Sequence, residues 1–234
     1  MIQEDAIDFG RRKYALLLAL LLIVLAIDSN AVRSGGGAFV SDVFRTLLGV
    51  AVWAVVFWRQ GERRAMGVVL VASALVSWTR YFVADSFDHD ISLANEAVLA
   101  IFMWGAVYAI LRDLFVKPAA GAENVLGAIC GYIIAGDAWA RLNAVAYLLV
   151  PAAFSINPEI ASMLPDWRGR VALFTYYAFA QVLTIGYADI TPIRAPATTL
   201  SLFAALFGVF YTAVVVSQLV GLAQQTKRTP PDER

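Results

Sequence analysis

The sequence contains little of what catalytic and metal sites are usually built from. It has one cysteine, Cys130, and one histidine, His89, in 234 residues. A single cysteine excludes an intrachain disulfide and a cysteine-cluster metal site, and a single histidine leaves little for histidine-based catalysis. Neither paired carboxylates nor a serine-based constellation appears. We therefore predict that the protein is not an enzyme, and that it has neither an organic cofactor nor a nucleic-acid partner.

Charged residues are also scarce. They make up 15% of the chain, whereas a soluble domain carries about a quarter. Hydrophobic residues make up 60%, and the mean hydropathy is +0.70. Apolar runs near the length of a bilayer core recur, which predicts an all-α integral membrane protein with about six transmembrane helices. The predicted spans are approximately 14–27, 39–58, 66–84, 93–111, 123–150 and 196–222.

The first apolar run is short for a span. At roughly 1.5 Å per residue it covers about 20 Å of a hydrocarbon core near 30 Å. A basic flank and a short apolar run also describe a signal peptide, but no clear small-residue cleavage site precedes the glycine-rich loop at 34–37. We interpret the run as an uncleaved first helix.

The placement of basic residues predicts the orientation. When the N-terminus is put in the cytoplasm, most Lys and Arg residues fall in the inner loops and the tail, including the clusters at 11–13 and 59–64. We therefore predict a multi-pass protein of the cell (inner) membrane, surrounded by lipid, with both termini cytoplasmic. In this orientation the segment between the fifth and sixth spans lies on the outer side.

That segment contains the sequence Thr184-Ile-Gly-Tyr-Ala-Asp189. It follows an aromatic, helix-compatible run at 173–183 and precedes Thr191-Pro192 and a long apolar run. The arrangement resembles the pore region of potassium channels, whose filter motif is Thr-x-Gly-Tyr-Gly-Asp. The departure from the motif is Ala188, where the family has its second glycine.

The resemblance implies a homotetramer, in which each chain has three identical partners and contributes a re-entrant pore helix at about 169–183. The last two spans would flank this helix and the filter. Potassium ions would occupy the filter, held by backbone carbonyl oxygens. By resemblance the ion-binding filter residues are Thr184, Ile185, Gly186, Tyr187 and Ala188, supported by a hydrogen bond between Tyr177 and Asp189.

Ala188 bears on ion selectivity. Glycine at this position permits backbone angles that are costly for a residue with a Cβ, by roughly 1 kcal/mol. The resemblance therefore predicts a cation channel with potassium as the expected ion. The alternatives are a weakly selective cation channel and a non-conducting regulatory protein on a channel scaffold.

Gly208 and two valines are candidates for the gate in the sixth span. Gly208 lies where family inner helices often carry a hinge glycine, and the alternative is that it only permits close helix packing. Val216 and Val220 lie on the lower part of the span and are candidates for a hydrophobic constriction.

The resulting division of the chain is a four-helix N-terminal membrane region at 1–117, a pore domain at 118–223 and a disordered cytoplasmic tail at 224–234. The fourth span contains no arginine, so strong voltage gating is not expected. Asp137 and Arg141 lie four residues apart on one helix face. They are either functional, or they neutralise each other or pair with a neighbouring helix and fix its packing.

Overall fold

The computed structural model describes residues 2–31, 38–57, 60–79, 81–82, 88–116 and 122–228. These residues are mainly helical, with two short strands. The elements in chain order are α1 (Ile2–Ala31), α2 (Ala38–Val56), α3 (Gln60–Thr79), α4 (Asp88–Val116), α5 (Ala122–Leu149), β1 (Phe154–Ile156), α6 (Pro158–Ala161), α7 (Trp167–Val182), β2 (Ile190–Pro192) and α8 (Ala195–Arg228).

The first five helices share one apolar core. Each contributes a buried side chain, with Leu17, Val52, Leu70, Phe102 and Ile134 coming from α1 to α5 in order. The contact between α4 and α5 is the most extensive, and α1 packs on both α2 and α5. Helix α5, which the sequence assigned to the pore domain, therefore also belongs to the core of the predicted N-terminal region.

A second core fixes α7. Phe174 and Tyr177 of α7 are fully buried against Phe154 of β1, Ile190 of β2 and Ala197 of α8. Helix α7 also packs along α5. The helix that the sequence predicted as a pore helix is thus enclosed between α5 and α8, as the resemblance implies.

Two short strands accompany the helices of this mainly α-helical fold. β1 and β2 pair antiparallel, with Ser155 opposite Thr191, and Asn157 N–H donates to the Asp189 carbonyl at 2.9 Å. Each strand has three residues, which is too short for an alternating pattern to be recognised in the sequence. The sheet attaches the segment after α7 to the segment after α5.

Three helices within the described residues are long and apolar enough to cross a membrane, namely Asp88–Val116, Glu123–Leu149 and Ala195–Val215. A shorter apolar helix covers Lys13–Ile27. These helices are consistent with an all-α membrane protein. The first three predicted spans, at 14–27, 39–58 and 66–84, overlap in sequence with α1, α2 and α3.

Helix α8 is longer than predicted. It runs to Arg228, so the prediction that the tail is disordered from residue 224 is wrong for 224–228. Four of its five residues, Gln224, Gln225, Lys227 and Arg228, favour helix, and the next proline in the chain is Pro230. The rest of the predicted tail, 229–234, lies outside the described residues.

Candidate functional site

Helix α7 ends in a tight turn made by the predicted filter residues. The N–H of Thr184 donates to the Gln181 carbonyl at 2.9 Å, and the N–H groups of Ile185 and Gly186 both reach the Ala180 carbonyl, at 2.8 and 3.2 Å. The last carbonyls of a helix have no partner within it, so these bonds cap the helix. The start of the filter is consequently fixed to the end of α7.

This turn requires left-handed backbone at two positions. Thr184 has φ 57° and Gly186 has φ 69°. Such an angle is unusual for a β-branched residue and ordinary for glycine. Ala188 is not among the described residues with positive φ, so the backbone cost predicted there is wrong for this structure. The strained residue is Thr184, because the chain reverses over the end of α7 at positions 184–186.

The filter stretch presents unpaired backbone oxygens. The carbonyls of Thr184, Ile185, Gly186 and Tyr187 accept no hydrogen bond from any described residue, and residues 183–188 are exposed in the single chain. Ala188, also predicted as a ligand, differs because its carbonyl accepts the Thr191 hydroxyl at 3.4 Å. Unpaired carbonyls at membrane depth must face water, ions or protein. Four adjacent carbonyls of this kind are chemically able to coordinate a cation.

The hydrogen bond predicted between Tyr177 and Asp189 is wrong. Tyr176 is the residue whose hydroxyl donates to Asp189 Oδ2, at 3.0 Å, and its ring stacks on Tyr187 at a centroid distance of 5.6 Å. The Tyr177 hydroxyl is 2.6 Å from Ser201 Oγ on α8. Consecutive helical residues point about 100° apart, so only one of the two tyrosines faces the filter.

Burial distinguishes the two tyrosines in the structure. Tyr177 belongs to the buried residues of α7, with Val171, Phe174 and Ala178, whereas Tyr176 is 41% exposed. The sequence carried little signal for this difference, because apolar residues occur all around the helix and no single apolar face stands out.

The last carbonyl of α7, that of Val182, has two close neighbours. The Tyr132 hydroxyl on α5 donates to it at 2.9 Å. Gly208 on α8 packs against the same group, and a Cβ at position 208 would lie 1.9 Å from the Val182 oxygen. Of the two alternatives for Gly208, this contact favours close packing over a hinge.

The predicted constriction is not tested by these contacts. Val216 and Val220 lie within α8, but their side chains are outside the part of the molecule that the structure describes. Their role at a gate stays a prediction.

The Arg170 side chain attaches the start of α7 to α4. Asp166 caps the helix, its Oδ1 accepting the Arg168 N–H at 3.4 Å. Arg170 donates to Asp88 Oδ2 at 2.7 Å and to Ser92 Oγ at 2.9 Å, both on α4. The two ends of α7 are thereby fixed by different helices, α4 at its start and α5 with α8 at its end.

A buried ion cluster joins α4 to α5. Arg141 donates to Asp137 Oδ1 and to Glu96 Oε2, each at 3.0 Å, and both Arg141 and Glu96 are at least 95% buried. The sequence predicted the first pair and missed Glu96. Glu96 is the one acidic residue of the fourth predicted span. Because a charge within a membrane helix needs a partner, this residue could have been predicted to form an ion pair. The contacts favour the structural alternative for this cluster.

Comparison with known families agrees with this geometry. Residues 161–225 match the family model Ion_trans_2, described as an ion channel. The match covers a little over a quarter of the chain and includes α7, the filter stretch and most of α8. It supports an ion-channel family for this segment and a channel rather than an enzyme. No curated protein and no solved structure matches the chain.

Proposed function

We propose that the protein is one subunit of a homotetrameric cation channel and that potassium is the ion it conducts. The carbonyl oxygens of Thr184, Ile185, Gly186 and Tyr187 from four chains would surround a dehydrated ion in place of its water shell. Ala188 marks the outer limit of this ring of ligands. The observation that carries the proposal is the run of four carbonyls at the end of α7 that accept no hydrogen bond from any described residue.

The surrounding elements support cation binding. The C-terminal end of α7 carries the negative end of the helix dipole and adjoins Thr184. The Tyr187 side chain is held against Tyr176 rather than left free to cover the carbonyls. Asp189 adds a carboxylate beyond the filter, held by the Tyr176 hydroxyl. The helix dipole and the carboxylate each favour a cation at this position, and the stacked rings leave the carbonyls open to it.

The proposal includes six membrane spans with both termini in the cytoplasm of the inner membrane. In this arrangement the starts of α4 and α7 and the β1–β2 sheet lie at the outer end. The first arginine within α4 is Arg112, near its inner end, where it pairs with Glu62 of α3. Because α4 lacks the regularly spaced arginines of a voltage sensor, we expect the channel to respond only weakly to voltage.

Single-channel recording in planar bilayers tests the function. With potassium on one side and sodium on the other, we expect currents that reverse near the potassium equilibrium potential. Gly186→Ala should abolish them, because the φ of 69° at this position is costly for a residue with a Cβ. Gly61→Ala in α3, where a Cβ meets no atom within 4 Å, is the matched control and should conduct normally.

Two other results would contradict the proposal. Currents that reverse midway between the potassium and sodium potentials would indicate a weakly selective cation channel. Tetramers that are intact but pass no current under any ionic gradient or voltage would indicate a regulatory membrane protein on a channel scaffold.

A further inference from the structure

An apolar groove of about 530 Å³ lies between α1 and the side chains of the filter stretch. Helix α7 forms its floor. One wall comes from α1, through Leu22, Leu25 and Ala26, and the other from the filter, through Leu183, Ile185 and Tyr187. The helix at the start of the chain therefore borders the filter directly.

The groove needs an occupant. Leu22, Ile185 and Tyr187 are each 51% exposed in the single chain. The backbone at 183–187 is not helical, and irregular backbone does not face lipid within the hydrocarbon core. In the proposed channel its carbonyls face the ions, so protein must cover the side-chain side. This argument excludes acyl chains as the filling and leaves a protein segment.

Helix α8 carries a matching surface at the same depth. Contacts of Tyr177 with Ser201 and of Val182 with Gly208 align the second half of α7 with residues 201–208 of α8. Because that face of α8 is turned toward its own α7, the opposite face is left exposed. The exposed apolar residues at this level include Leu202, Phe203, Leu206 and Val209.

The groove and the exposed face of α8 are different surfaces of one chain. A contact between two different surfaces is head-to-tail, and repeated by rotation it closes a ring. We infer that the groove is the seat for α8 of a second copy of this chain, so that α1 takes part in assembling the pore. This inference rests on the proposed function and adds to it a structural role for the first helix.

Cysteine cross-linking tests the seat. Cys130, the single cysteine, is buried and is first replaced by Ala. Leu22→Cys is then combined in turn with Cys at 202, 203, 206 and 209, and membranes are oxidised. We expect covalent dimers to tetramers on non-reducing gels from a helically spaced subset of these pairs. Ile23→Cys with the same partners is the control, since Ile23 is similarly exposed at 48% but does not line the groove.

A bulky substitution supplies a second measurement. Leu22→Trp fills the groove and should reduce the tetramer fraction in native mass spectra at least several-fold, whereas Ile23→Trp should leave it unchanged. A conducting wild-type tetramer that gives no Leu22 cross-links, and whose Leu22→Trp variant assembles normally, would overturn the seat and leave the proposed function intact. Lipid retained in the groove without cross-links would overturn it as well. A wild-type protein that is not tetrameric would refute the proposed function itself.

Discussion

The Cα of Gly208 on α8 packs against the carbonyl oxygen of Val182, the last residue of α7. Any Cβ at position 208 would lie 1.9 Å from that oxygen and 2.8 Å from the carbonyl carbon. Both neighbours are backbone atoms, so no side chain can move aside. The absence of a side chain at position 208 therefore allows α8 to approach the end of α7 this closely.

Gly208→Ala should therefore destabilise the protein. Overpacking typically costs about 1–3 kcal/mol, and here the displaced group is backbone. We expect a lower melting temperature in detergent and a loss of tetramer, measured by size-exclusion chromatography after heating. Gly221→Ala, in the same helix, meets no atom within 4 Å and should be neutral or slightly stabilising. Equal melting temperatures for the two variants would show that α8 does not rest on Val182.

The sequence predicted the elements of the pore segment better than their contacts. The predicted pore helix at 169–183 agrees with α7 within two residues, because Asp166 caps its start and the Thr-Ile-Gly turn ends it. The Tyr176 and Tyr177 assignment failed, since the motif fixes residue types and the helix face fixes their direction. Glu96 was missed because its partner, Arg141, lies 45 residues away on another helix.

The sequence did not show which residues of the filter stretch have left-handed backbone angles. The motif directed attention to Ala188, while the left-handed residues within the filter stretch are Thr184 and Gly186. Those angles follow from how the N–H groups of 184–186 cap α7, which is a property of the folded turn. The β1–β2 pairing likewise joins two three-residue segments whose pattern is too short to read.

Tyr176→Phe should weaken the outer end of the filter. The change removes the hydroxyl that donates to Asp189 and keeps the ring that stacks on Tyr187. A hydrogen bond to a charged group contributes about 1.5–3 kcal/mol, so we expect a lower potassium-to-sodium permeability ratio and currents that decline faster. Both are measured in the same bilayer recordings.

Tyr177→Phe is the matched control for that change. Its hydroxyl pairs with Ser201 on α8, so the variant should alter stability and leave the permeability ratio near the wild-type value. If Tyr177→Phe changes selectivity and Tyr176→Phe does not, the assignment of Asp189 to Tyr176 is incorrect.

Tyr132→Phe should destabilise the end of α7. The Tyr132 hydroxyl donates to the Val182 carbonyl, and a polar group left unsatisfied in the interior costs about 1–3 kcal/mol. We expect a lower melting temperature together with smaller potassium currents, because the filter continues from this helix end. Tyr108→Phe on α4, whose side chain is 65% exposed, should change neither quantity. A wild-type melting curve for Tyr132→Phe would mean that another group satisfies the Val182 carbonyl.

Arg141→Met should be among the more destabilising substitutions in the chain. It leaves the buried Glu96 and the partly buried Asp137 without their cation, and removing one partner of a buried ion pair such as Arg141 with Glu96 costs about 3–5 kcal/mol. We expect a large fall in melting temperature in detergent, whereas Arg64→Met at an exposed position should be nearly neutral. The combined variant Arg141→Met with Glu96→Gln and Asp137→Asn should recover part of the loss, because it no longer buries unpaired charge. A triple variant as unstable as Arg141→Met alone would indicate that the packing of the arginine side chain, rather than its charge, joins α4 to α5.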